Sequence, residues 1–256
     1  MSSLFILKIG GELLQSPEKC DQVLRHFVAQ EGPKILVHGG GRDASGLSEK
    51  MGMQPHLIDG RRVTDAAQLD IVTMVYAGKV NTQLVARLNT LGQKALGING
   101  SDLGIITCDK RLATPIDYGF VGDIRTVDDS AINELLELGI TPVFSAITSD
   151  GQGQLLNTNA DTVATAVATA LTSNHTVKLA LLMGIPGILR DLEDSESLIQ
   201  ELDHVSYEEL KASGALSGGI LPKLHNGFQA INNGVSEVII ANEETLINHQ
   251  NTLLCR

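Results

Sequence analysis

Two lysines stand beside glycine pairs at opposite ends of the chain. Lys8 closes an apolar run and is followed by Gly10 and Gly11, while Gly218, Gly219 and Pro222 lead into Lys223. An ammonium group at the carboxyl end of an apolar strand is unfavourable unless it reaches a partner or a solvent-filled cleft. In open α/β sheets the crevice beyond the carboxyl ends of the strands is where ligands bind. Glycines placed there let the backbone approach a phosphate and offer it N–H groups. The chemistry these letters suit is the handling of an anion. A snorkelling lysine ahead of an ordinary turn fits position 8 equally well, and a solvent-exposed lysine fits position 223.

Three further segments carry polar groups at turns. His38-Gly39-Gly40-Gly41 follows the run Lys34–Val37 and precedes a helix expected over 43–51. A glycine turn between strand and helix suits an anion, through its N–H groups and the helix dipole. The spacing Gly39-x-Gly41-x-x-Ala44, with Asp59 downstream, also satisfies a loose dinucleotide fingerprint, and a nicotinamide-dependent oxidoreductase stays open on that account. In Arg61-Arg62-Val63-Thr64-Asp65, Thr64 is expected to cap the next helix with Asp65 in its first turn. An arginine just before such a cap can grip a carboxylate with two parallel hydrogen bonds, though one of the pair is expected to be a solvated loop residue. In Asn157-Thr158-Asn159-Ala160-Asp161, Asn159 reads as an N-cap and Asp161 as a first-turn charge. Asn157 donating to a substrate and Asp161 steering ammonium groups is the functional alternative.

These residues need a scaffold that gathers them. Runs at 4–9, 34–38, 94–98, 141–147, 177–182 and 237–241 are almost continuously apolar, as strands covered on both faces should be. Between them lie helical patterns. Pro17 follows Ser16, and Cys20, Val23, Leu24, Phe27 and Val28 share one face; Val163, Ala166, Val167, Ala170 and Leu171 repeat that spacing. The segment from Asp129 to Leu138 ends at Gly139, in the position of a C′ glycine. Alternating strands and helices predict an α/β fold, a mainly parallel sheet between helical layers. Segments 118–125 and 149–156 read as hairpins or loops. A soft lobe boundary is expected near 151–157, dividing the chain into 1–155 and 156–256.

Composition narrows the function classes. The chain has 256 residues and a net charge of −11, with no basic block, so nucleic acid and anionic membranes are poor partners. There is no Trp, so the core must be mainly aliphatic, and no aromatic platform exists for stacking single-stranded bases. Three widely spaced cysteines without a CxxC suggest neither metal site nor disulfide framework, and fit a reducing compartment. No signal-peptide pattern or membrane-length apolar run is seen, so a soluble, cytoplasmic protein is expected. GxxxxGK[ST], HExxH, GxSxG and the protein-kinase HRD and DFG motifs are all absent, and no histidine pair has metal-ligand spacing.

Taken in order, Lys8-x-Gly10-Gly11, His38–Gly41, Gly60–Thr64, Gly119–Asp123, Asn157–Asp161 and Gly218-Gly219-x-x-x-Lys223 resemble the amino-acid kinase superfamily over essentially the whole chain. Arg-Val-Thr and Asn-x-Asn-Ala-Asp make the resemblance closest to its branch of N-acetylglutamate kinases of arginine biosynthesis. The resemblance implies a three-layer αβα sandwich with an open, mainly parallel sheet, an acylglutamate-binding and dimerising N-terminal lobe, and an ATP-binding C-terminal lobe. It implies that Lys8 and Lys223 stabilise the transferring phosphoryl group while Asp161 orients both. Gly10, Gly11, Gly187 and Gly219 would meet the nucleotide, and Gly40, Gly41, Arg62 and Asn157 the acylglutamate. ATP would be the co-substrate, with Mg²⁺ carried by its phosphates, and the γ-carboxylate of N-acetylglutamate or N-succinylglutamate the acceptor. An arginine-insensitive homodimer is expected. One departure stands out: where the family's nucleotide loop commonly reads Ser/Thr-Asp-Val-x-Gly-Leu, this chain has Met183-Gly184-Ile185-Pro186-Gly187-Ile188. A metabolite sensor crippled in ATP binding is the alternative that this loop raises.

Overall fold

The computed structural model describes residues 2–58, 60–191, 194, 197–214, 216 and 220–256. Eight strands form the central sheet: β1 (Ser2–Ile9), β2 (Lys34–His38), β3 (Ala95–Ile98), β4 (Thr141–Phe144), β5 (His175–Leu182), β6 (Glu201–Leu202), β7 (Glu237–Ala241) and β8 (Thr252–Leu254). Their order is β6-β8-β7-β5-β1-β2-β4-β3. Every pairing is parallel except β7 with β8. The fold is the expected α/β sandwich.

Strand β1 shows why its apolar run is continuous. Leu4 and Ile6 enter one hydrophobic cluster with Val163, Val167, Leu224 and Phe228, while Phe5, Leu7 and Ile9 enter a second with Val23, Leu24, Phe27 and Val72. Side chains alternate across a strand, so covering both faces demands apolar residues at both parities. The helices Ala160–Ala170 and Ile220–Asn232 therefore lie on one face of the sheet, and Pro17–Ala29 and Ala66–Val72 on the other. Lys8 has the parity of Leu4 and Ile6, which aims it at the layer carrying Asp161 and Lys223.

A smaller four-stranded sheet follows the order 155–157, 147–149, 106–110, 122–127. The hairpin expected at 149–156 is there, with Leu155 opposite Ser149, and segment 122–127 is an antiparallel strand against 106–110. The run 141–147 is not one strand. It leaves the central sheet after Phe144, and Ile147–Ser149 joins the smaller sheet, because Ser145 and Ala146 make the crossing while remaining buried. The helix expected over 43–51 spans Gly41–Lys50, and the one entered at Lys223 begins at Ile220.

Candidate active site

Lys8 and Asp161 meet inside the protein. The Lys8 ammonium is 2.7 Å from Asp161 Oδ1, with side-chain exposures of 7% and 8%. Asp161 is held at the start of the helix Ala160–Ala170, whose N-cap is Asn159: its side chain accepts hydrogen bonds from the backbone N–H groups of Asp161 and Thr162, at 2.8 and 3.1 Å. A carboxylate in a first helical turn is favoured by the helix dipole. Both ions lose most of their water, so the pair persists only because each answers the other.

Lys223 joins the same electrostatic neighbourhood from the helix Ile220–Asn232. Burial pushes its pKa below the ordinary lysine value; Asp161 opposes the drop, Lys8 deepens it, and Glu12 opposes it more weakly. Gly10 closes the gap to the first turn, since a Cβ there would lie 3.7 Å from the Lys8 ammonium. One ammonium group thus pairs with the Asp161 carboxylate beside a glycine turn, and a second lies within its field. Gly218 and Gly219 lie outside the described residues.

The two glycine turns touch. A Cβ on Gly11 would lie 3.5 Å from the backbone nitrogens of both Gly41 and Arg42, which open the helix Gly41–Lys50. That helix and the short one at Gly11–Leu14 have no side-chain cap, so their first N–H groups are not claimed by a side chain. Segments starting after Asp65, Asp128 and Asn159 are capped by those side chains.

Arg62 reaches the second turn from the hairpin Leu57–Ile58 and Arg61–Arg62, in which Arg62 turns inward and Arg61 outward. Its Nη2 donates to Gly41 O at 2.9 Å and to Ser45 Oγ at 2.6 Å, and its Nη1 donates to Gln68 Oε1 at 3.0 Å. The strand alternation decides which arginine of the pair enters the protein. Thr64 is not the helix cap. Asp65 takes that role, accepting from Gln68 N at 2.8 Å, because Thr64 is bound into backbone pairing with Tyr118 and Phe120. Thr64 Oγ1 instead accepts from Asn157 Nδ2 at 3.0 Å. Gly119 makes this crossing possible: it sits at φ +73°, and a Cβ would fall 2.2 Å from Thr64 O.

His38 is fully buried and its pKa is lowered to about 4, burial being the main cause. Its Nδ1 donates to Gly39 O at 2.7 Å, which leaves Nε2 to accept from Asn81 Nδ2 at 3.0 Å. A neutral, doubly bonded imidazole braces the glycine turn; it is not placed to act as a base.

Several residues of the site were not evident from the letters. Tyr76 lies on a π-helix, Thr73–Val80, inside a helical stretch running from Ala66 to Thr90. A Cβ on Gly40 would come within 2.7 Å of the Tyr76 ring, and one on Gly41 within 3.9 Å of its hydroxyl. Burial pushes the Tyr76 hydroxyl pKa up, and the nearby Arg62 guanidinium opposes it. Leu69, Val72, Val80, Leu84 and Leu88 carry the periodic signal for this stretch, but nothing local marks a π turn. Asp43 binds Gln15 and Lys79, both at close range, and so ties the second turn to the first turn and to the π-helix. Gly187 is set apart: it is buried at φ +155°, and a Cβ would press on Leu198 and Thr252, not on either lysine. Asp59, the acid of the dinucleotide reading, lies outside the described residues.

Comparisons with known proteins bear on the family. The model of the amino acid kinase family matches residues 3–242. The chain is 46% identical to the acetylglutamate kinase of Cytophaga hutchinsonii, over 96% of this chain and 94% of that protein. It is 38% identical to the acetylglutamate kinase of Methanopyrus kandleri, over 97% and 99%. Among solved structures, the carbamate kinase of Giardia lamblia bound to AMP-PNP shares the fold with a TM-score of 0.70 at 11% identity, covering 100% of this chain and 98% of that one. With its lysine pair, its paired glycine turns and relatives of this kind along nearly its full length, the chain belongs to the amino acid kinase family.

Proposed function

We propose that the protein transfers the γ-phosphoryl group of ATP to the γ-carboxylate of N-acetyl-L-glutamate, a step of arginine biosynthesis. Relatives named acetylglutamate kinase, at 42–46% identity over most of the chain, support this activity over an oxidoreductase or a sensor. The observation that carries the mechanism is the buried contact of Lys8 with Asp161, with Lys223 in the same field.

Donor and acceptor are both anions, so charge repulsion and alignment make up most of the barrier. In this reading Lys8 and Lys223 are the catalytic cations, set on either side of the transferring phosphoryl oxygens, and Asp161 holds them at fixed separation. A carboxylate with an ordinary pKa near 4 is already ionised at neutral pH, so attack needs no general base. A neutral His38 is consistent with that. Gly10 and Gly11 offer backbone N–H groups to the nucleotide phosphates, with Gly187 and Gly219 further along the nucleotide path. Gly40 and Gly41 receive the reacting side of the acceptor, and Arg62 and Asn157 its α-carboxylate and acyl amide. In this reading the lobe 1–155 takes mainly the acylglutamate and 156–256 mainly the nucleotide, with Lys8, Gly10, Gly11 and Asn157 crossing that division.

The described residues hold no cluster of three or more His, Cys, Asp or Glu that could hold a metal ion. Mg²⁺ carried by the nucleotide would supply charge neutralisation at the phosphates. No helix among the described residues is long and apolar enough to cross a membrane. A cytoplasmic homodimer completes the reading, to be checked by fractionation and sedimentation. The primary test is coupled ADP release with N-acetylglutamate and N-succinylglutamate side by side. Turnover with the acetyl compound is expected; ADP release with neither acceptor would refute the assignment.

A further inference from the structure

The loop at 183–187 lacks the acid expected of it, and the neighbourhood of Gly184 contains a carboxylate from elsewhere in the chain. A Cβ on Gly184 would lie 2.6 Å from Glu12 Oε2, so any side chain there would displace Glu12. Glu12 follows Gly11 directly, on the turn that closes β1. Its other oxygen, Oε1, is 3.2 Å from Arg42 Nη2, on the neighbouring glycine turn. The Glu12 side chain keeps 63% of its surface exposed, so the carboxylate is open to solvent and to a ligand.

Resting on the kinase reading above, we propose that Glu12 is a positioning residue of the phosphoryl-transfer site, supplying from the first glycine turn the carboxylate that position 184 lacks. Two other parts of the chain lie against it and a third feels its charge. Arg42 comes from the helix that begins at Gly41, Gly184 from the loop after β5, and Lys223 from the helix Ile220–Asn232. Glu12 pairs with Arg42 at 3.2 Å and supports the charged form of Lys223, whose ammonium otherwise meets burial and the like charge of Lys8. The charged groups whose fields act on Lys223 are Asp161, Lys8 and Glu12, and Glu12 is the most exposed of the three. A side chain at position 184 and the present position of the Glu12 carboxylate overlap, so an acid at 184 would move Glu12 from where it now sits.

The test is a set of four variants of the full chain, E12Q, E12A, G184D and the double variant E12A G184D. Each is assayed for turnover, for its alkaline pH profile, and for binding of a non-hydrolysable ATP analogue by calorimetry. Replacing Glu12 by Gln is expected to lower kcat roughly tenfold and to move the alkaline limb to lower pH, because Lys223 loses a supporting charge. G184D alone should also lose activity, since two carboxylates are forced together, whereas E12A G184D should exceed both E12A and G184D. The proposal is overturned if E12Q keeps wild-type turnover and an unmoved limb, or if E12A G184D does no better than E12A. Analogue binding does not depend on the acceptor, so weakened binding in E12Q can be read even if wild-type turnover with acetylglutamate fails and the kinase assignment falls.

Discussion

The two ends of the site solve the handling of anions in different ways. Around Lys8, Asp161 and Lys223 the protein sets formal charges against one another, two cations in the field of one buried carboxylate. Around Arg62 the cation is held by neutral groups: the Gly41 carbonyl, the Ser45 hydroxyl and the Gln68 amide oxygen. The first arrangement leaves an excess of positive charge, which suits charge that develops during transfer. The second leaves the charge of Arg62 uncancelled while fixing its orientation, which suits recognition of a carboxylate already present in the ground state. A site can therefore separate rate from affinity by choosing what surrounds its cations.

The largest effects should come from the lysines. Lys8→Met and Lys223→Met should each reduce kcat by roughly 10²–10³. They should differ in stability: Lys8→Met leaves Asp161 buried without its counter-ion and should lose about 3 kcal/mol or more in chemical denaturation. Lys223→Met, at a half-buried site whose charge is already disfavoured, should stay within about 1 kcal/mol of the wild type. Equal stability of the two variants would break the contrast between a paired and a shared cation.

His38 tests the neutral end at acid pH. Its pKa is lowered to about 4 in the folded chain, against an ordinary value of 6.5. The unfolded chain binds the extra proton in that window, so stability is lost as pH falls from 6.5 towards 4, by up to about 3 kcal/mol. His38→Asn should be less stable at neutral pH, yet show a flatter dependence across the window. Arg62→Ala should raise the KM for the acylglutamate roughly 10–100-fold, with kcat and the KM for ATP changed far less. A loss confined to kcat would assign Arg62 to the wrong end. Lys223 has a lowered pKa, so activity should decline as pH rises through a value below that of an ordinary lysine, and Lys223→Arg should move that limb upward in the pH profile of kcat. Tyr76→Phe, which removes only the hydroxyl beside Arg62, should change the acylglutamate KM about threefold and leave ATP untouched.

Much of the scaffold was legible because its signals are local. The run ending at Lys8 had to be a strand buried on both faces, and parity then pointed Lys8 towards one helical layer. Asn159 behaves as the N-cap its position suggests. The failures have an equally definite cause. Thr64 and Asp65 are both good caps by type, and only the backbone pairing of Thr64 with Tyr118 and Phe120 passes the role to Asp65. Nothing near Ser145 marks the point where one apolar run is divided between two sheets.

From its letters alone the chain committed itself to a parallel α/β sandwich, to glycine turns at strand ends, and to two lysines beside such turns, because periodicity and turn chemistry act over a few residues. The family resemblance named Asp161 as the partner of the lysines, but local rules alone did not, and the contact itself was a matter for the tertiary structure. Asp161 with Lys8 and Glu12 beside Gly184 are pairings between distant segments, set by how the layers pack, and no short-range rule contains them.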